Sequence, residues 1–134
     1  MNKSLLLEAD GLVIAIPTYW FNMPGILKSF IDSLTPFVDM ENESNYKTDG
    51  KNSFGLDGKV AGCIVYSPEG GESPVLQNLA LTLNHLGVLL PPYSLIFYRG
   101  KQDWWAKNDI RLLTRNMIQQ IKAQKQLHLQ WDEY

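Results

Sequence analysis

The run of residues 12–32 constrains this chain more than any other part of it. Leu12-Val13-Ile14-Ala15-Ile16 is unbroken apolar sequence that stops at Pro17 and gives way to Thr18-Tyr19-Trp20-Phe21-Asn22-Met23. Pro24-Gly25 then opens a segment in which Ile26, Leu27, Phe30, Ile31 and Leu34 recur at helical spacing, with Pro36 as its stop. An apolar run without alternation predicts a strand covered on both faces, as in a parallel sheet. Proline at the first helical turn loses nothing, because its missing N–H would have no partner there. The run therefore reads as buried strand, aromatic-rich loop and amphipathic helix. In open α/β sheets, ligands lie at such strand ends.

Further strand–helix units follow downstream, with no internal sequence repeat. Before the first strand, residues 4–9 read as the tail of a helix, closed by the turn pair Asp10-Gly11. Residues 59–66 form a second apolar strand, and Ser67-Pro68-Glu69-Gly70-Gly71-Glu72 a loop. Ser73-Pro74 is the expected helix start, with Ser73 as N-cap. Val75, Leu76, Leu79, Ala80, Leu83 and Leu86 are its stripe and Gly87 its stop. After Pro91-Pro92, residues 94–98 are a third strand. A last helix begins near Asp103 or Asn108, with Ile110, Leu113, Met117 and Ile121 on one face. Alternating units of this kind give a parallel sheet with helices on both faces. Residues 37–58 are polar and turn-rich, an inserted loop in which Phe37, Tyr46 and Phe54 either tuck underneath or anchor it over a site. The tail after Lys125 shows no period.

At 134 residues the chain is expected to be a single domain, 1–134, with room for a core. A net charge of −2 gives no basic surface for nucleic acid. No stretch reaches the apolar length of a membrane span, and Glu8 and Asp10 interrupt the short apolar start, so no secretory leader is expected and the cytoplasm is the default location. Cys63, the single cysteine, lies within the second strand and reads as a small buried hydrophobe. His85, near a helix C-terminus, suits the dipole there. With His128 alone in the tail, no metal-ligand set can be assembled. There is no Walker loop and no strand–GxGxxG–helix unit. Lys28 reads as a helix-surface residue, Asp32 as structural and Arg99 as a solvated loop arginine that could alternatively meet a donor's phosphates.

The loops after the first two strands have the chemistry to hold a flat, partly apolar ring. Tyr19, Trp20 and Phe21 can cover a ring face, Asn22 is short enough to turn an N–H inward, and Gly70-Gly71 allow close backbone approach. The same aromatic residues also suit plain core or an oligomer contact.

The Ala-Asp-Gly turn, the Pro17–Asp32 motif, the Gly58-Lys59 start of a strand ending at Gly-Gly, and the helix ending Leu86-Gly87 together resemble the NADPH-dependent FMN reductase family. The resemblance implies a flavodoxin-like α/β fold, a parallel sheet with helices on both faces. It also implies FMN at the strand ends, NADPH or NADH as co-substrate, a small-molecule electron acceptor and a homodimer. The reaction it implies is ping-pong hydride transfer through flavin N5, so that no side chain is catalytic. Carried over residue by residue, the cofactor contacts are Pro17, Thr18, Tyr19, Trp20, Asn22 and Met23, with Ser67, Glu69, Gly70 and Gly71 from the second loop.

That fold has strand order 2-1-3-4-5, and the strands read here correspond to the third, fourth and fifth. The family's glycine- and serine-containing phosphate loop has no counterpart in the chain. The expectation is an N-terminally truncated, partial flavodoxin-like domain, with the first strand as an apolar edge. Hydrogen bonds to a charged group contribute ~1.5–3 kcal/mol each. Losing about three weakens FMN binding by roughly three to six decades. The alternative reading is a non-catalytic scaffold or interaction module that has lost its cofactor; a different small-ligand α/β pocket protein is a third.

Overall fold

A computed structural model of the chain describes residues 3–35, 56–100 and 103–127. The elements are α1 (Lys3–Glu8), β1 (Gly11–Pro17), α2 (Gly25–Asp32), β2 (Val60–Tyr66), α3 (Glu72–His85), β3 (Leu95–Tyr98) and α4 (Asp103–Leu127). The strands form one parallel sheet in the order β1-β2-β3, with Pro17 opposite Tyr66 and Tyr66 opposite Tyr98. Alternation along β2 divides the core. Ala61, Cys63 and Val65 face the layer built from α1, α2 and α3, where Leu6, Leu27, Val75, Leu79 and Leu83 are buried. Val60 and Ile64 face α4, whose Leu113, Met117 and Ile121 pack with Ile96.

The α4 layer covers β2 and β3, so the same face of β1 stays open and Val13 is half exposed while Ile14, on the opposite face, is buried. Among the described residues β1 pairs only with β2, which agrees with its expected position at an edge. Lys59 ties α1 to this edge: its ammonium donates to the carbonyls of Leu7 and Ala9, both at 2.6 Å, and so completes the helix's C-terminal turn. Burial lowers the Lys59 pKa, partly offset by the nearby Asp10 carboxylate.

Two expectations need correction. The third helix starts earlier than Ser73-Pro74: its N-cap is Gly71, in the left-handed region, and no side chain caps it. Proline is tolerated anywhere in the first turn, so Pro74 marks the turn and not its first residue. Arg99 is not simply solvated, as shown below. The last helix takes the earlier of its two expected starts, Asp103. Lys28 and Asp32 pair with each other on the exposed face of α2. Most of the expected 37–58 loop, with Phe37, Tyr46 and Phe54, lies outside the described residues, as do Pro36 and the tail with His128, Trp131 and Tyr134.

Cys63 is fully buried, and burial pushes its thiol up to about 12. The thiol is neutral at pH 8 and buried, so the native protein there is expected to resist iodoacetamide and to label only once unfolded, which intact-mass analysis reads directly. Gly62 lies where an added Cβ meets Leu113 Cδ1 at 2.5 Å and Cδ2 at 3.0 Å. Leu113 is itself buried and has little room to yield. Gly62→Ala is therefore expected to destabilise the fold by about 1–3 kcal/mol, seen as a lower urea midpoint at unchanged slope.

Candidate functional site

Parallel pairing brings the ends of β1 and β2 side by side, and both following loops leave from the same edge. The Thr18 amide extends the ladder by donating to the Tyr66 carbonyl at 2.8 Å, and the Ser67 amide donates to the Tyr98 carbonyl at 3.0 Å. Side-chain hydroxyls then join the loops. Thr18 Oγ1 donates to Ser67 Oγ at 3.1 Å, and Ser67 Oγ donates to the Gly70 carbonyl. Both residues are buried, so these bonds form out of competition with water.

Residues 19–22 form a tight hairpin. Tyr19 and Asn22 exchange both backbone hydrogen bonds at 3.0 Å. The central residues Trp20 and Phe21 have φ of 50° and 63°. Positive φ at both centres is the pattern of a type I′ turn, which ordinarily selects Asn and Gly. Aromatic residues there cost about 1–2 kcal/mol each. That strain is held in place by the neighbouring loop. Gly71, with φ of 88°, lies so close that a Cβ on it would come within 2.5 Å of the Phe21 carbonyl carbon and oxygen.

Between the loops is a cleft of about 500 Å³ lined by Pro17, Thr18, Tyr19, Trp20, Phe21, Tyr66, Pro68 and Glu69. That size lies within the range of small-ligand pockets. Pro17, Thr18, Tyr19, Trp20 and Glu69 of the expected contacts come together on its wall. Ser67 and Gly70 sit behind it as part of the hydroxyl chain, and Gly71 sits against Phe21. Asn22 closes the turn whose centre is Trp20-Phe21 and does not aim its N–H inward: that N–H is engaged by the Tyr19 carbonyl, and its Oδ1 accepts from the Met23 amide at 2.8 Å. Among the described residues, the loop amides without an internal acceptor are those of Trp20, Phe21, Glu69 and Gly71.

Sequence reasoning did not single out two participants, Tyr66 and Glu72. Tyr66 lines the cleft from the end of β2 and packs on Tyr98, with ring centroids 5.0 Å apart. Its signal was its place as the last residue of an apolar strand. Glu72, at the first position of α3, is 3% exposed, and its Oε1 accepts from Arg99. The pairing of Glu72 with Arg99 joins the start of α3 to the end of β3, 27 residues apart, and has no local signature in the sequence. Hydrogen bonding from the Arg99 guanidinium, then from its own backbone amide, holds the Glu72 carboxyl below the usual range. A carboxyl depressed in this way stabilises the fold above its unfolded pKa, and that contribution is lost as pH falls through its folded value. Among the described residues no group of His, Cys, Asp and Glu could hold a metal ion.

The family profile described as NADPH-dependent FMN reductase matches residues 3–101. No curated protein is significantly similar in sequence. Among solved structures, RosB with bound 8-demethyl-8-formylriboflavin-5'-phosphate superposes with a TM-score of 0.73 at 23% identity, over 92% of this chain and 52% of that one. The chain thus spans about half the length of that neighbour. A flavodoxin, WrbA-like protein from Agrobacterium tumefaciens gives 0.68 at 20% identity, over 90% and 72% of the two chains. An NADPH-quinone reductase from P. pentosaceus gives 0.53 at 20% identity, over 87% and 70%. These likenesses establish a flavodoxin-like fold, and the profile match over most of its length establishes that the chain belongs to the NADPH-dependent FMN reductase family.

Proposed function

We propose that this chain forms the ring-holding part of an FMN-dependent NAD(P)H oxidoreductase that delivers electrons to a small-molecule acceptor such as a flavin, quinone or azo compound. The observation that carries this reading is the cleft between the two strand-end loops, aromatic on one wall and bordered by loops with unengaged backbone amides. A flat heterocycle needs such a combination, an apolar wall for its face and fixed donors for its polar edge. The residues present fit an isoalloxazine. Tyr19, Trp20, Phe21 and Tyr66 supply aromatic surface, Glu69 an acceptor, and the amides of Trp20, Phe21 and Glu69 the donors.

FMN, when bound, supplies the hydride chemistry itself, through N5 of its ring. The chain's part is to bind, orient and partly enclose that ring. Thr18 and Ser67 fix the spacing between the loops, and the left-handed turn presents Trp20, which is 90% exposed, at its tip. Tyr19, Phe21 and Ile26 are also exposed beside it. A second copy of the chain is the proposed cover for this surface, giving a homodimer with sites near its interface. Among the described residues no helix is long and apolar enough to cross a membrane, and the reading places the protein in the cytoplasm.

Because the 134 residues hold no glycine- and serine-rich phosphate loop, binding here rests on the ring. Riboflavin and FMN are therefore expected to quench on titration with affinities within about threefold of each other. Trp20→Ala is expected to weaken both by up to about tenfold, the scale of one aromatic contact. If neither flavin binds, the cofactor reading fails and the non-catalytic scaffold stands. If FMN binds more than about a hundredfold tighter than riboflavin, the restriction to the ring fails.

A further inference from the structure

We propose that Glu72 and Arg99 are a positioning pair that holds the second loop, residues 67–71, in its cleft-facing shape and through Gly71 holds the 19–22 hairpin as well. The role in loop order stands on the geometry alone; its consequence for flavin binding rests on the function proposed above.

Glu72 follows directly on Gly70 and Gly71, with φ of 102° and 88°. Two successive glycines at positive φ lose much conformational freedom on ordering, because glycine gives up more of it than any other residue. Something must end that freedom where α3 begins. No side chain caps the helix. Instead the Glu72 carboxylate turns inward, with a side chain 4% exposed, and takes the guanidinium of Arg99 from the end of β3. A glutamate in the first turn gains from the helix dipole while remaining in water, so helix stability does not require this burial. A buried ion pair is costly to desolvate and contributes little net stability, but it selects one geometry. The geometry selected here fixes the first residue of α3, hence Gly71, hence the Phe21 backbone against which Gly71 is packed.

The pair is asymmetric, which separates positioning from simple stabilisation. The Arg99 side chain is 58% exposed and remains solvated without its partner, whereas Glu72 without Arg99 is a charge left in the interior. Removing the glutamate charge should loosen the loops and spare the core. Its Oε2 is buried and accepts no hydrogen bond, so the carboxylate is held chiefly through Arg99 at Oε1.

Hydrogen exchange on the full, flavin-free chain tests this, followed at the bonded amides of Tyr19, Asn22, Met23, Ser67 and Gly70 against those of β2. Glu72→Gln is expected to speed exchange at the loop amides about tenfold, roughly one ordinary hydrogen bond's worth, with β2 unchanged. Arg99→Lys, which keeps the charge, is expected to stay within about threefold of the unmodified chain. Unchanged loop exchange in Glu72→Gln overturns the proposal, and so does equal acceleration in β2, which would mark a general loosening. A parallel riboflavin titration separates the two claims. If the unmodified chain binds no flavin, the cofactor reading falls while the exchange result still decides the pair. If Glu72→Gln loosens the loops yet binds riboflavin as tightly as before, the link between loop order and ligand is overturned.

Discussion

The candidate site depends on one contact, the approach of Gly71 to the backbone of Phe21. Each partner is in a conformation that neither would hold alone. Phe21 is an aromatic residue at positive φ, and Gly71 is the second of two left-handed glycines. Side chains at positive φ persist only where surrounding structure over-determines them. Here the hairpin's paired amides act from one side and the glycine from the other. Any side chain at position 71 would occupy the space that the Phe21 carbonyl fills, so the strained turn and the glycine require each other.

What makes the approach possible is the parallel pairing of β1 and β2. Antiparallel neighbours would send their following loops to opposite ends of the sheet; parallel ones send both the same way. With Pro17 opposite Tyr66, the loops begin in register, and the Thr18–Ser67–Gly70 hydroxyl chain carries that register one step beyond the ladder. The first residues of the two loops thus share the rigidity of the strands they leave. Only the hairpin tip, with Trp20, stands out from the sheet. A site built this way is stiff at its base and adaptable at its rim.

Much of this architecture was legible in the sequence because it follows from period and punctuation. The unbroken apolar runs of β1 and β2, the helical spacing of Val75, Leu79 and Leu83, and the stop at Gly87 each depend only on neighbours in the chain. The start of α3 was misplaced because Ser73-Pro74 is a strong local signal, whereas the actual N-cap, Gly71, is set by a contact 50 residues away in the chain, with Phe21. The left-handed hairpin was hidden for the opposite reason, since Trp-Phe is a poor local candidate for that turn. The resemblance to flavin reductases pointed to the same two loops that border the cleft. The tip amides that remain available, and the inward Glu72, came only from the structure.

The layering of the sheet also bears on where the chain meets other surfaces. Because α4 lies over β2 and β3, the core is thick beneath Tyr66 and Tyr98 and thin beneath β1. Val13 is exposed on that thin side, and Leu5, Leu7 and Ile26 are exposed among α1 and α2. An apolar edge strand in water is a template for pairing with another strand, and singly exposed apolar residues become an interaction surface only where they are contiguous. The aromatic tip, Tyr19 to Phe21, projects from the end of this same strand. The cleft and the edge therefore share β1. A strand paired along β1 in parallel would bring the loop that follows it to the side of the cleft where Pro17 and Thr18 stand, so pairing at that edge and access to the cleft are geometrically linked.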